Sequence, residues 1–126
     1  MGGMMSPPAK DTTIVSHARF AVPEESRADF ERVAAELVAR AEREPGTLTY
    51  RFFRGAPGDY AAIEEYADAD AVDAHQAANQ DLLGLVFEYA DQSWISVHGA
   101  VGAEIREWAH SEAGAAAGLT LFEEQL

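Results

Sequence analysis

The chain has no cysteine. Disulfide staples, thiolate nucleophiles and thiolate-held metals are therefore excluded, and the absence fits a reducing, cytoplasmic setting. Basic residues are scarce too. Nine Lys and Arg stand against 22 Asp and Glu, a formal net charge of −13. Such a surface repels phosphate backbones and anionic headgroups, so neither nucleic acid nor membrane is an expected partner. No apolar run approaches the roughly 20 residues that span a bilayer. The four histidines are scattered, with no HxH or HxxxH pair, so no metal site is expected. Proline and glycine collect at the start, in MGGMMSPPAK, which lacks the apolar stretch of a signal peptide. Residues 1–11 are read as a disordered leader.

What remains is one domain's length of patterned sequence over residues 12–126, with a C-terminal extension from about residue 102. Residues 12–20 (TTIVSHARF) are β-branched and alternate, placing Ile14, Ser16, Ala18 and Phe20 on one face and Val15, His17 and Arg19 on the other. Neither face is purely polar, which predicts that both are covered. After Pro23, Ser26 and Asp29 have the spacing of a capping box. Phe30, Val33, Ala34, Leu37, Val38 and Ala41 then form a helical stripe that Pro45 and Gly46 stop. Residues 47–54 and 60–67 read as a hairpin around the turn cluster 55–58, with Leu48, Tyr50 and Phe52 sharing a face. Asp68 or Asp70 can cap the next helix, which carries His75 and continues from Asn79 after a kink. Residues 93–101 are a fourth strand, 103–110 a short helix, 114–118 a small-residue connection and 119–123 a fifth strand. The apolar tail residues Leu119, Leu121 and Phe122 predict that this last strand covers a sheet edge.

Strand, helix, strand, strand, helix, strand is the split βαβ order of an α+β, ferredoxin-like sandwich. Helices cover one sheet face. The other face then needs a partner, and two copies packed sheet to sheet satisfy it, so a homodimer is expected.

The segments EPGTLTYRFF, EEYADADAVDAH, QAANQDLLGL and ISVHGAV, in that order and spacing, resemble the antibiotic biosynthesis monooxygenase superfamily of dimeric α/β barrels. The resemblance covers about residues 13–101. It implies a cleft between helices and sheet, and oxidation of a small phenolic, quinol or anthrone-like aromatic substrate by dioxygen, with no cofactor. In such chemistry the substrate supplies the electrons, and the protein supplies a base, an apolar cavity and orientation. On this resemblance His75 and Glu64 are the candidate catalytic residues, and Tyr50, Tyr66, Asn79, Leu83, Phe87 and Ser16 the candidate substrate-binding residues. Each also has an ordinary structural reading. A helix histidine often fixes a neighbouring loop, a paired carboxylate often pins a hairpin, and strand aromatics are usually core. The haem-degrading branch of the superfamily is not expected, because Ala18, His75 and Leu85 stand where its asparagine, tryptophan and histidine fall. Two other readings stay open: a non-catalytic small-ligand-binding or stress-associated dimeric barrel, and an isomerase or cyclase acting without dioxygen.

Overall fold

The computed structural model describes residues 11–126. The expected leader, apart from Asp11, lies outside the described residues. The elements run β1 (Ile14–Ala21), a 3-10 turn (Glu24–Ser26), α1 (Arg27–Ala41), β2 (Thr47–Arg54), β3 (Asp59–Tyr66), α2 (Ala69–Ala78), α3 (Gln80–Tyr89), β4 (Gln92–His98), α4 (Ala103–Ala109), α5 (Glu112–Ala117) and β5 (Leu119–Phe122). They build one five-stranded sheet in the order β2-β3-β1-β4-β5. The first four strands pair antiparallel, and β5 joins β4 in parallel. This is the ferredoxin-like α+β arrangement with one strand added.

Alternation decides which face of each strand is buried. On β1, Ile14, Ser16, Ala18 and Phe20 point into the core, while Val15, His17 and Arg19 point away. On β4, Ser93, Ile95 and Val97 are buried and Trp94 and His98 exposed. The helices cover the Ile14 face, with Phe30, Val33, Ala34 and Leu37 buried on α1. The opposite face is open in the single chain. Val15, Phe53, Trp94 and Phe122 stand 37%, 44%, 45% and 54% exposed, on the face for which a partner was expected. Arg19 and Arg51 lie over Trp94 and Phe53, at 6.0 and 4.9 Å, and hold charge beside this apolar surface.

Three local expectations are corrected. Ser26 makes no capping hydrogen bond. The 3-10 turn uses its backbone instead, with the Ser26 N–H donating to the Pro23 carbonyl at 2.9 Å. Leu48 does not share the Tyr50 face, because the β2–β3 register shifts between Thr47 and Thr49. The extra residue bulges out and is 54% exposed. The 114–118 connection is mostly helix, inside α5. Its alanines are the best helix formers, and the Ser111 hydroxyl caps it by accepting from the Gly114 N–H at 3.1 Å.

Two glycines fix the layout around the cavity. At Gly46 a Cβ would lie 2.5 Å from that of Ala71, so glycine lets the start of β2 meet α2. At Gly114 a Cβ would collide with the Trp108 carbonyl, so glycine seats α5 against the end of α4. The fifth strand pairs from Ile95–Leu119 to His98–Phe122 and covers the β4 edge within its own chain. Among the described residues no helix is long and apolar enough to cross a membrane.

Candidate active site

The sheet's inner face and the helices enclose a cavity of about 60 Å³. Strand residues Ser16, Tyr50, Phe52, Glu64 and Tyr66 form its floor, Val72 and Gln76 of α2 and Leu83 and Phe87 of α3 its wall, and Ile105 and Trp108 of α4 its far side. The lining is apolar but for Ser16, Glu64, Gln76 and the tyrosine hydroxyls, the mixture expected where a mainly apolar ligand is oriented by a few polar groups.

Six of the eight residues expected from the sequence line this cavity: Ser16, Tyr50, Glu64, Tyr66, Leu83 and Phe87. His75 and Asn79 do not. They are 1% and 0% exposed and sit behind the tyrosines, with the His75 ring 4.8 Å from that of Tyr50 and 5.4 Å from that of Tyr66.

A half-buried acid holds them there. Glu44, between α1 and β2, places Oε1 2.6 Å from His75 Nδ1 and accepts the Thr47 hydroxyl on the same oxygen at 2.8 Å. Its Oε2 accepts from Asn79 Nδ2 at 2.8 Å. The second Asn79 N–H donates to the His75 carbonyl, also at 2.8 Å. A carboxylate only accepts, so His75 Nδ1 carries a proton toward Glu44. The ring's Nε2 is buried and finds no hydrogen-bond partner among the described residues. Burial pushes the Glu44 carboxyl up, but the hydrogen bonds from Asn79, His75 and Thr47 together hold it below the ordinary glutamate range.

The cavity's own acid behaves in the opposite way. Glu64 is half-buried, and Tyr66 Oη donates to its Oε1 at 2.5 Å. Desolvation raises its carboxyl above the ordinary range, against the pull of that hydrogen bond and of the His75 charge. Burial, with the nearby Glu64 and Glu44 charges, pushes both tyrosines upward. Tyr50 and Tyr66 therefore stay protonated and act as donors at neutral pH. Glu64 is the carboxyl among the cavity's lining residues, and so the group placed to exchange a proton with a ligand there. Among the described residues no group of three or more His, Asp or Glu is placed to hold a metal ion.

Glu44, Gln76, Ile105 and Trp108 were not singled out in the sequence. Glu44 meets His75 across 31 positions, which no local spacing reveals. Ile105 and Trp108 did carry a signal, an apolar pair three apart in an otherwise polar helix.

A family model described as antibiotic biosynthesis monooxygenase matches residues 13–80. Among solved structures, MupZ from Pseudomonas fluorescens is similar at 25% identity and a TM-score of 0.68, over 90% of this chain and 91% of that one. A protein described as an antibiotic biosynthesis monooxygenase is 26% identical, with a TM-score of 0.63, over 71% of this chain and 99% of its own. SnoaB, a cofactor-independent oxygenase from Streptomyces nogalater, is 23% identical with a TM-score of 0.60, over 68% and 90%, and shows the fold alone. No curated protein matches the chain by sequence.

Proposed function

This chain belongs to the antibiotic biosynthesis monooxygenase family, and from that premise we propose that it oxidises a small phenolic, quinol or anthrone-like substrate with dioxygen, without a bound cofactor. The observation that carries the proposal is Glu64. It is an acid of raised pKa on the wall of an apolar cavity, with Tyr66 fixing one oxygen.

In this reading Glu64 takes a proton from the bound phenol or from the acidic C–H of its keto form. The resulting anion gives one electron to dioxygen, and the two radicals combine into a peroxide at ring carbon. Loss of water leaves a carbonyl there. One oxygen atom is kept, the other leaves as water with the two hydrogens lost by the substrate, and the substrate is the reductant throughout. Ser16, Gln76 and the two protonated tyrosines orient the substrate's oxygens. An apolar enclosure keeps water from the anion. His75 acts from behind the tyrosine wall. Held by Glu44, it favours the ionised form of Glu64 and so sets the pH at which the base is ready. The open sheet face, with Val15, Phe53, Trp94 and Phe122, supports the further proposal that two copies pair through it.

The test is dioxygen uptake with a panel of hydroquinones, naphthols and anthrones. Removing a positioned base costs roughly 10²- to 10⁴-fold, so Glu64→Gln should lose at least about a hundredfold in turnover. The rate should rise with pH through a value above that of an ordinary glutamate, and His75→Ala should move that limb to higher pH. No uptake by the wild-type protein, or uptake unchanged in Glu64→Gln, refutes the proposal. A second reading, ligand binding without catalysis, is favoured by the small cavity. It predicts binding of the same aromatics with no uptake.

A further inference from the structure

The small volume of the cavity poses a problem for any aromatic ligand. A cavity of roughly 150 Å³ takes a single benzene ring, and this one is about 60 Å³. Something must move, and the structure limits what. A second, open groove of about 410 Å³ lies between the end of α3, the start of β4 and α5. Two side chains line both spaces, Phe87 and Trp108. They are the partition between the cavity and solvent, in edge-to-face contact at 6.0 Å. Phe87 also packs against Phe20 in the core at 6.3 Å. Trp108 has no second aromatic neighbour among the described residues and is half-exposed. It sits on a two-turn helix joined to β5's tail by the exposed pair Arg106–Glu123. The rest of the groove is lined by four alanines, among them Ala113, Ala116 and Ala117, and by the polar Asp91, Gln92 and Ser93. Short side chains leave room for an indole that has swung outward.

We propose that Trp108 is the door of the cavity: ligand enters from the groove beside α5 as the indole turns out into it, and the space the indole leaves limits the ligand to a planar, uncharged ring system about the size of a fused bicycle. Charge is disfavoured because the partition between groove and cavity is aromatic, so an ionic ligand would shed its water in passing it without compensation. The proposal rests on the oxygenase reading only for the ligand's chemical class. The α4 helix lies beyond the segment matched by the family model, residues 13–80, so the door is a feature of this chain's extension. A closed resting state lowers apparent affinity by the fraction of time the door is open, and removing the door restores it.

The experiment measures 1-naphthol binding under nitrogen, where no turnover occurs, by stopped-flow fluorescence of the naphthol. Trp108→Ala and Trp108→Leu should each associate at least tenfold faster than the wild type. Ala116→Phe, at an exposed helix position that leaves the core untouched, fills the swing space and should slow association at least tenfold. In a Trp94→Phe background Trp108 is the sole indole, and its emission should shift to the red on binding. Association rates unchanged in either the Trp108 or the Ala116 variants, or no 1-naphthol bound by any of the proteins, overturns the proposal. Dioxygen uptake, measured separately, keeps the two readings apart. Trp108-dependent binding without uptake removes the oxygenase and leaves the door. Uptake with Trp108-independent binding does the reverse.

Discussion

Replacing Glu44 with alanine removes one acceptor and strands two buried donors. His75 Nδ1–H and Asn79 Nδ2–H both end on its carboxylate, in residues 1% and 0% exposed. A buried donor without a partner costs about 1–3 kcal/mol. Thr47 can turn to water, and the Glu44 side chain is itself 19% exposed, so some water can follow it in. A net loss of about 3 kcal/mol is therefore expected, the lower half of the summed range. With an unfolding entropy of roughly 2.1 cal/mol/K per residue, a chain of 126 residues loses about 10 °C in Tm for that change. The assay is urea denaturation followed by circular dichroism at pH 7, with an unchanged m-value as the two-state check. The pH dependence has a definite sign. The folded-state pKa of Glu44 is depressed, so its contribution is complete above the ordinary value of 4.5 and disappears as pH falls below it through the folded value. The gap between wild type and Glu44→Ala should therefore close in acid. A loss under about 1 kcal/mol at pH 7, or a gap that widens in acid, refutes the view that Glu44 pins the histidine and asparagine.

Glu64 should behave in the opposite sense. Its folded pKa is raised, so ionisation costs stability at neutral pH, and Glu64→Gln should melt higher than wild type at pH 8, by a margin that shrinks as pH falls through the raised value; equal melting temperatures at pH 8 would count against a desolvated acid. On the open sheet face, Trp94→Asp places a charge in the middle of the surface proposed to pair two copies, and sedimentation should show the assembly falling to monomer at micromolar concentration; an unchanged sedimentation coefficient removes this face as the interface.

Much of the fold was legible because two periods carry it. The alternation of Ile14, Ser16, Ala18 and Phe20 and the stripe from Phe30 to Ala41 each leave one way to bury their apolar side. The bulge at Leu48 was not legible, because alternation says nothing about where a register slips. Ser26 had the residue types of a capping box, but the chain enters α1 through a 3-10 turn that Pro23 begins. In the site, Glu64 and Tyr66 were readable as neighbours two apart on one strand face, and so were Leu83 and Phe87, four apart on one helix. His75 was readable as a pairing histidine. Which side of Tyr50 and Tyr66 it occupies depends on how closely α2 approaches β2, and that follows from contacts such as Gly46 on Ala71.

The parallel pairing of β5 with β4 ties two properties that are usually separate. A parallel neighbour is reached only by crossing back over the sheet, and here the crossing is α4 and α5, which bring Ile105 and Trp108 onto the cavity. The strand that occupies the sheet edge and the helix that closes the cavity are therefore one mechanical unit. If that unit moves as one body, a ligand held under Trp108 and a strand competing for the β4 edge alter each other's binding by the same free energy.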